Sequence, residues 1–186
     1  MGAAQAADTA EVQINLGTEV ADTCYIKSIT GSDVPAGVSF LDIAAGNAVS
    51  GSVEYGTTLA NETTAFAEAS ETELTISAYC NYATHSIQLT SANGGLVTDN
   101  TSASVGDFHR RITYDATLLW NGQTESLDAT GDKTTLTAGE VESTGQAVAS
   151  AVNGDAILTI NTDADTVPLL QGSYAATLTL TFGVIL

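Results

Sequence analysis

The sequence predicts an all-β fold in which two sheets pack as a sandwich, on three observations. Apolar and polar residues alternate with a period of two in run after run. Thr, Ser, Val, Gly and Asn recur throughout, whereas charged helix formers are scarce, with Lys27, Arg110, Arg111 and Lys133 the four Lys and Arg residues. Turn signals built on Gly and Asn punctuate the chain at short intervals, the spacing expected of a sandwich.

The two ends carry the clearest alternation. At the start, Ala10, Val12, Ile14 and Leu16 share one face and Thr9, Glu11, Gln13 and Asn15 the other. At the finish, Tyr174, Ala176, Leu178, Leu180, Phe182, Val184 and Leu186 point one way, opposite Ala175, Thr177, Thr179, Thr181 and Gly183. Gly17 interrupts the first run, and Val20, Asp22, Cys24 and Ile26 then share a face in the first strand of the domain proper. This divides the chain into an extension, 1–17, and one sandwich domain, 18–186, a size that allows a sizeable core.

Between the ends, Gly31 to Gly37 reads as a turn around Pro35, and Val38 to Ile43 as a short strand. Gly46 to Ser70 is read as short strands and loop, with a helical turn near Ala65 to Ala69. Leu74 to Cys80 alternates cleanly, and Ser86 to Thr90 turns Ile87 and Leu89 inward. Asn93-Gly94-Gly95 signals a tight reversal into Leu96 and Val97, and Thr98 to Asp107 is a loop. Ile112 to Leu118 leads to a hairpin at Asn121-Gly122, with Thr124 to Leu127 returning. A third reversal is expected at Asn153-Gly154 before the strand Ala156 to Ile160, and Asp163 to Pro168 is a connection. Many short strands joined this way predict immunoglobulin-like, Greek-key wiring.

Charge excludes several functions. A formal net charge of −18 repels phosphate backbones and anionic membrane surfaces, so no nucleic-acid partner is expected. No run of about 18 apolar residues offers a helical membrane span. Ala4-Gln5-Ala6-Ala7-Asp8 reads like the small-residue end of a secretory signal and points to export. Cys24 and Cys80 fit one structural disulfide of a secreted protein, the alternative being two buried free thiols.

No motif calls for chemistry. There is no Gly-x-Ser-x-Gly elbow or phosphate-binding glycine loop, so no catalytic residue, enzyme activity or cofactor is expected. His85 and His109 lack companions at metal-ligand spacing, and no metal site is expected. The Asp163 and Asp165 loop has oxygen ligands but not the helical calcium-loop pattern. Phe108-His109-Arg110-Arg111 gathers half of the Lys and Arg residues, either as a contact for an acidic neighbour or as solvated residues paired with local acids.

The alternating N-terminal run, Cys24-Tyr25-Ile26, the strand Leu74 to Cys80, Ile87-Gln88-Leu89 and the closing Val167-Pro168 with Gly172-Ser173-Tyr174 together resemble secreted chaperone-usher pilin subunits of the spore-coat-U-like, archaic branch, or a related donor-strand filament subunit. The resemblance implies an incomplete sandwich completed by the N-terminal strand of the next subunit. Ala10, Val12, Ile14 and Leu16 are then the donor side chains, and Tyr174, Ala176, Leu178, Leu180 and Phe182 line the acceptor groove. It also implies identical subunits as head-to-tail partners in a cell-surface filament serving adhesion or biofilm, with a periplasmic chaperone and an outer-membrane usher. The chain departs from that pattern in its 55-residue interval between cysteines, its Gly46 to Ser70 stretch and its apolar final residues. The alternative class is a monomeric secreted carbohydrate- or calcium-binding sandwich, or a tip adhesin, with Trp120 the aromatic to inspect.

Overall fold

Alternation of small and β-branched residues leaves a strand one face to bury, and two sheets bury those faces against each other. In a computed structural model, described over residues 18–31, 49–56, 61, 63–102, 106–137 and 139–184, the chain does this with twelve strands and no helix among the described residues. They are β1 (Cys24–Gly31), β2 (Val49–Gly56), β3 (Ser70–Cys80), β4 (His85–Ser91), β5 (Leu96–Thr98), β6 (Arg111–Ile112), β7 (Tyr114–Trp120), β8 (Gln123–Ala129), β9 (Val141–Glu142), β10 (Gln146–Val148), β11 (Val152–Thr162) and β12 (Tyr174–Val184). The first sheet runs β1-β3-β11-β7-β8, and all its pairs are antiparallel.

The second sheet is organised by β12. One edge of β12 pairs with β4 and, further along, with β5; the other edge pairs with β2 from Ala175↔Gly56 to Phe182↔Val49. β9 and β10 flank β4, and β6 flanks β5. Leu74, Ile76, Ala78, Leu118, Trp120, Leu158 and Ile160 face Ile87, Leu89, Leu96, Leu178, Leu180 and Phe182 across one continuous core.

Several expectations are corrected. Ala65 to Ala69 forms no helical turn: Phe66 and Ala67 are extended, Phe66 bridges Pro168, and Ala65 is left-handed at φ 58°. Asn93-Gly94-Gly95 makes no reversal, because β4 and β5 run in the same direction along β12. The glycines instead detour the chain around Arg111, and a Cβ on Gly95 would lie 2.7 Å from the Arg111 Cγ and Cδ. Asn153-Gly154 is not a turn either. It lies inside β11, paired to Tyr79 and Ala78, because pairing to a long neighbour overrides a local turn preference. Residues 18–23 precede β1 without strand structure, although Val20 to Ile26 was expected to be one strand.

Other readings match. β7 and β8 close through Asn121 (φ 49°) and Gly122 (φ 76°), a two-residue turn with both residues left-handed. The stretch expected as one strand from Ile112 divides at Thr113, where the chain passes from one sheet (β6) to the other (β7). The strand expected over Val38 to Ile43 lies outside the described residues.

Cys24 and Cys80 are bonded and sit opposite each other at one end of the β1–β3 pair, their Cα atoms 4.0 Å apart. The bridge closes a loop whose ends are 56 residues apart. In the chain-entropy model such a loop stabilises by about 4 kcal/mol. A C24A/C80A variant is therefore expected to unfold at distinctly lower denaturant concentration than the oxidised parent, and reduction of the parent is expected to reproduce the loss. Equal midpoints in urea titrations would mean the bridge is incidental.

Candidate functional site

The sandwich has two dissimilar ends. At the disulfide end, four rings stack inward from the bridge. Tyr82 donates to the Gly183 carbonyl at 3.1 Å and its ring meets His85 at 5.5 Å. His85 lies 5.2 Å from Trp120, and Trp120 meets Phe182 edge to face at 4.7 Å. Nδ1 of His85 is 3.0 Å from the Tyr82 carbonyl, an oxygen that can only accept, so Nδ1 carries the proton. Burial lowers the His85 pKa, against the pull of that carbonyl, and keeps the ring neutral at pH 7. Trp120 is only 1% exposed and cannot serve as a platform for a sugar.

At the far end the chain assembles its cations. Three segments run side by side: Leu169 N donates to Ala65 O at 2.8 Å, His109 N to Pro168 O at 2.9 Å, and Leu170 N to His109 O at 2.8 Å. Asp165, whose own amide donates to Ala67 O, accepts from Lys133 Nζ at 2.8 Å and from His109 Nδ1 at 2.8 Å. Arg110 and Arg111 are buried. Arg110 donates to the Ser102 carbonyl, and Arg111 caps the carbonyls of Asp132 (2.8 Å) and Thr135 (3.2 Å). Phe108-His109-Arg110-Arg111 thus holds loops together rather than offering free charge. Tyr174 packs beneath it, its hydroxyl shared between Leu170 O at 2.7 Å and His109 O at 3.0 Å, and burial pushes this phenol up to about 12.

The same segments carry an apolar row on their outer side. The antiparallel bridge Phe66↔Pro168 and the parallel bridge His109↔Leu169 put Phe66, Pro168 and Phe108 in register across the three segments. Ala67 and Leu169 turn inward and are buried, while Phe66 is 36% and Phe108 43% exposed. Nothing in the sequence marked these two residues as partners, because the pairing joins segments that are distant in the chain.

The residues expected to line an acceptor groove do share one face of β12, but all five are buried in the core. The edge that the expectation left open is paired with β2 of the same chain. Opposite Phe182, Leu180 and Leu178 this strand places Val49, Gly51 and Val53. The expected donor residues Ala10, Val12, Ile14 and Leu16 lie outside the described residues. Among the described residues, no group of three or more His, Cys, Asp or Glu side chains could hold a metal, and no helix is long and apolar enough to cross a membrane. Asp165 is committed to Lys133 and His109 rather than paired with Asp163 in a cation loop. The chain matches no protein-family model, no curated protein and no solved structure.

Two electrostatic predictions come from these contacts. Burial by itself raises the Asp165 carboxyl, but the bonds from Lys133, the Val167 amide and His109 outweigh it and hold the group well below the usual carboxylate range. A depressed carboxyl contributes stability above its unfolded pKa of about 3.9 and loses it as pH falls through the folded value. D165N is expected to lower stability at pH 7 by about 1–3 kcal/mol and to flatten the acid limb of a Tm against pH curve. On the outer face, Asp115 stands directly opposite Asp128, and burial, then Asp128 and Asp163, raise its carboxyl. The cost of that raised group is present at neutral pH and relieved as pH falls. D128N is expected to raise Tm at pH 7 in low salt, the gain shrinking in molar salt.

Proposed function

We propose that this chain is a structural subunit of an extracellular fibre that polymerises by strand donation, with β2 holding the place beside β12 that the N-terminal strand of another copy takes. On this reading the sandwich is immunoglobulin-like with Greek-key wiring, and the protein is exported. The disulfide is compatible with that compartment.

The observation that carries the proposal is the filling of the β12 edge. β2 turns Val49 and Val53 inward but leaves Gly51, with no side chain, against Leu180. The N-terminal run offers Ala10, Val12, Ile14 and Leu16 at the same two-residue spacing. Exchange retains strand pairing along β12 and can set an apolar side chain where Gly51 has none, each buried methylene there contributing about 0.8 kcal/mol. Because donor and acceptor are different surfaces of one chain, the contact does not close on itself and propagates a fibre.

A second reading, a secreted sandwich that binds saccharide, is favoured by one observation. Tyr25 and Tyr79 pair at 5.8 Å on the outer face, where Lys27 lies 5.4 Å from the Tyr79 ring and bonds Asn153 at 2.5 Å.

The test compares the full chain with one starting at Thr18, by electron microscopy and size exclusion, and adds a peptide of residues 7–17 to the shortened protein. Fibres from the full chain alone, together with a peptide-induced rise in Tm, are the expected outcome. Two equally stable monomers indifferent to the peptide would sink the fibre reading, and saturable glycan quenching of tyrosine fluorescence would then favour the second.

A further inference from the structure

We propose that the row Phe66, Pro168 and Phe108 is the seat for residues 18–23 of the neighbouring copy, with Val20 packed against the two phenylalanines; this rests on the fibre reading above.

The direction of the strands leads to it. β12 runs from Tyr174 at the far end to Phe182 at the disulfide end, as its contacts with His109 and Trp120 show. A strand donated antiparallel to β12, in the direction β2 now takes, brings its residue 17 out beside Tyr174. Tyr174 is bonded to the backbone of His109 and Leu170, the segments that display the apolar row. The donor chain therefore emerges next to Phe66, Pro168 and Phe108.

The next residues of the donor fit what they meet. Within each subunit, residues 18–23 sit at the disulfide end, where Asn81 ties down Ala21 and Thr23. Six extended residues reach about 20 Å, enough to cross from the donated strand to the donor's own sandwich. Val20 is the most exposed large apolar residue among those described, at 77%. Two exposed aromatics and a proline in register are an anchor for such a side chain.

Copies of a chain with net charge −18 repel one another over most of their surface. The far end holds Arg110, Arg111 and Lys133, three of the four Lys and Arg residues, together with His109. Glu19 and Asp22, which flank Val20, then come nearest the end that carries Lys133, whose side chain is partly exposed.

The experiment uses the full chain carrying V20C and F108C. The two positions lie at opposite ends of one subunit, so mild oxidation is expected to give a ladder of cross-linked oligomers from assembled protein and none from dilute monomer. A V20C/T124C control, with the second cysteine on the outer face of the first sheet, is expected to give no ladder. In parallel, F66S/F108S is expected to slow fibre growth at least about tenfold, the scale of losing a buried aromatic anchor, while keeping the monomer's Tm and the Tm rise caused by the 7–17 peptide. Unchanged fibre growth by F66S/F108S, or equal ladders from both cysteine pairs, would overturn this interface and leave strand donation standing. A parent chain that forms no fibres and ignores the peptide would remove both.

Discussion

Most of this structure depends on the two-sided pairing of β12. Its inward residues supply one wall of the core from Tyr174 to Phe182, and its backbone groups are satisfied by β4 and β5 on one edge and by β2 on the other. Neither contribution can be withdrawn without the other failing. An unpaired β12 edge would open a row of polar groups beside Leu178 and Leu180, which is costly in an apolar interior. Whatever strand lies there, from this chain or another, is therefore part of the fold. On the proposed reading the same physics lets a donated strand take the place of β2, whose backbone does most of the pairing and whose side chains do only part of the packing.

The two ends of the sandwich solve the problem of closure by different means. At the disulfide end a covalent bond and a stack of Tyr82, His85, Trp120 and Phe182 seal the core with apolar and aromatic surface. At the far end the loops are irregular, and irregular backbone leaves carbonyls without ladder partners. Arg110 and Arg111 turn inward and cap those carbonyls, while Asp165 gathers Lys133 and His109. A very acidic chain thus spends most of its few cations internally. The outward faces keep the carboxylates, so separate copies repel each other.

The disulfide end is also where residues 18–23 leave the domain, and the far end is where β12 begins. A fibre built by antiparallel donation then stacks unlike ends, the disulfide end of one copy on the charged, apolar-rowed end of the next. In the proposed fibre, strand donation would set the register of such a contact, and the row of Phe66, Pro168 and Phe108 would give it something to rest on. Directionality along such a proposed fibre would follow from the direction of β12 alone.

Period-two alternation determined a great deal by itself. It located β3, β4, β7, β12 and the middle of β11, put Leu74 and Ile76, Leu118, and Leu178 and Phe182 on the apolar faces of their strands, and marked Asn121-Gly122 as a hairpin turn, because side-chain direction and turn dihedrals are local properties. Two cysteines on alternating strands sufficed to expect their bridge. Partner choice is not local. Only the tertiary structure decided that Gly94-Gly95 bends around Arg111 instead of reversing, that Asn153-Gly154 stays inside a strand held by β3, that β2 takes the edge of β12, and that Phe66 and Phe108 stand either side of Pro168. Each of these depends on which distant segment satisfies a backbone or covers a side chain, and that competition is settled by packing across the whole core rather than by any run of adjacent residues.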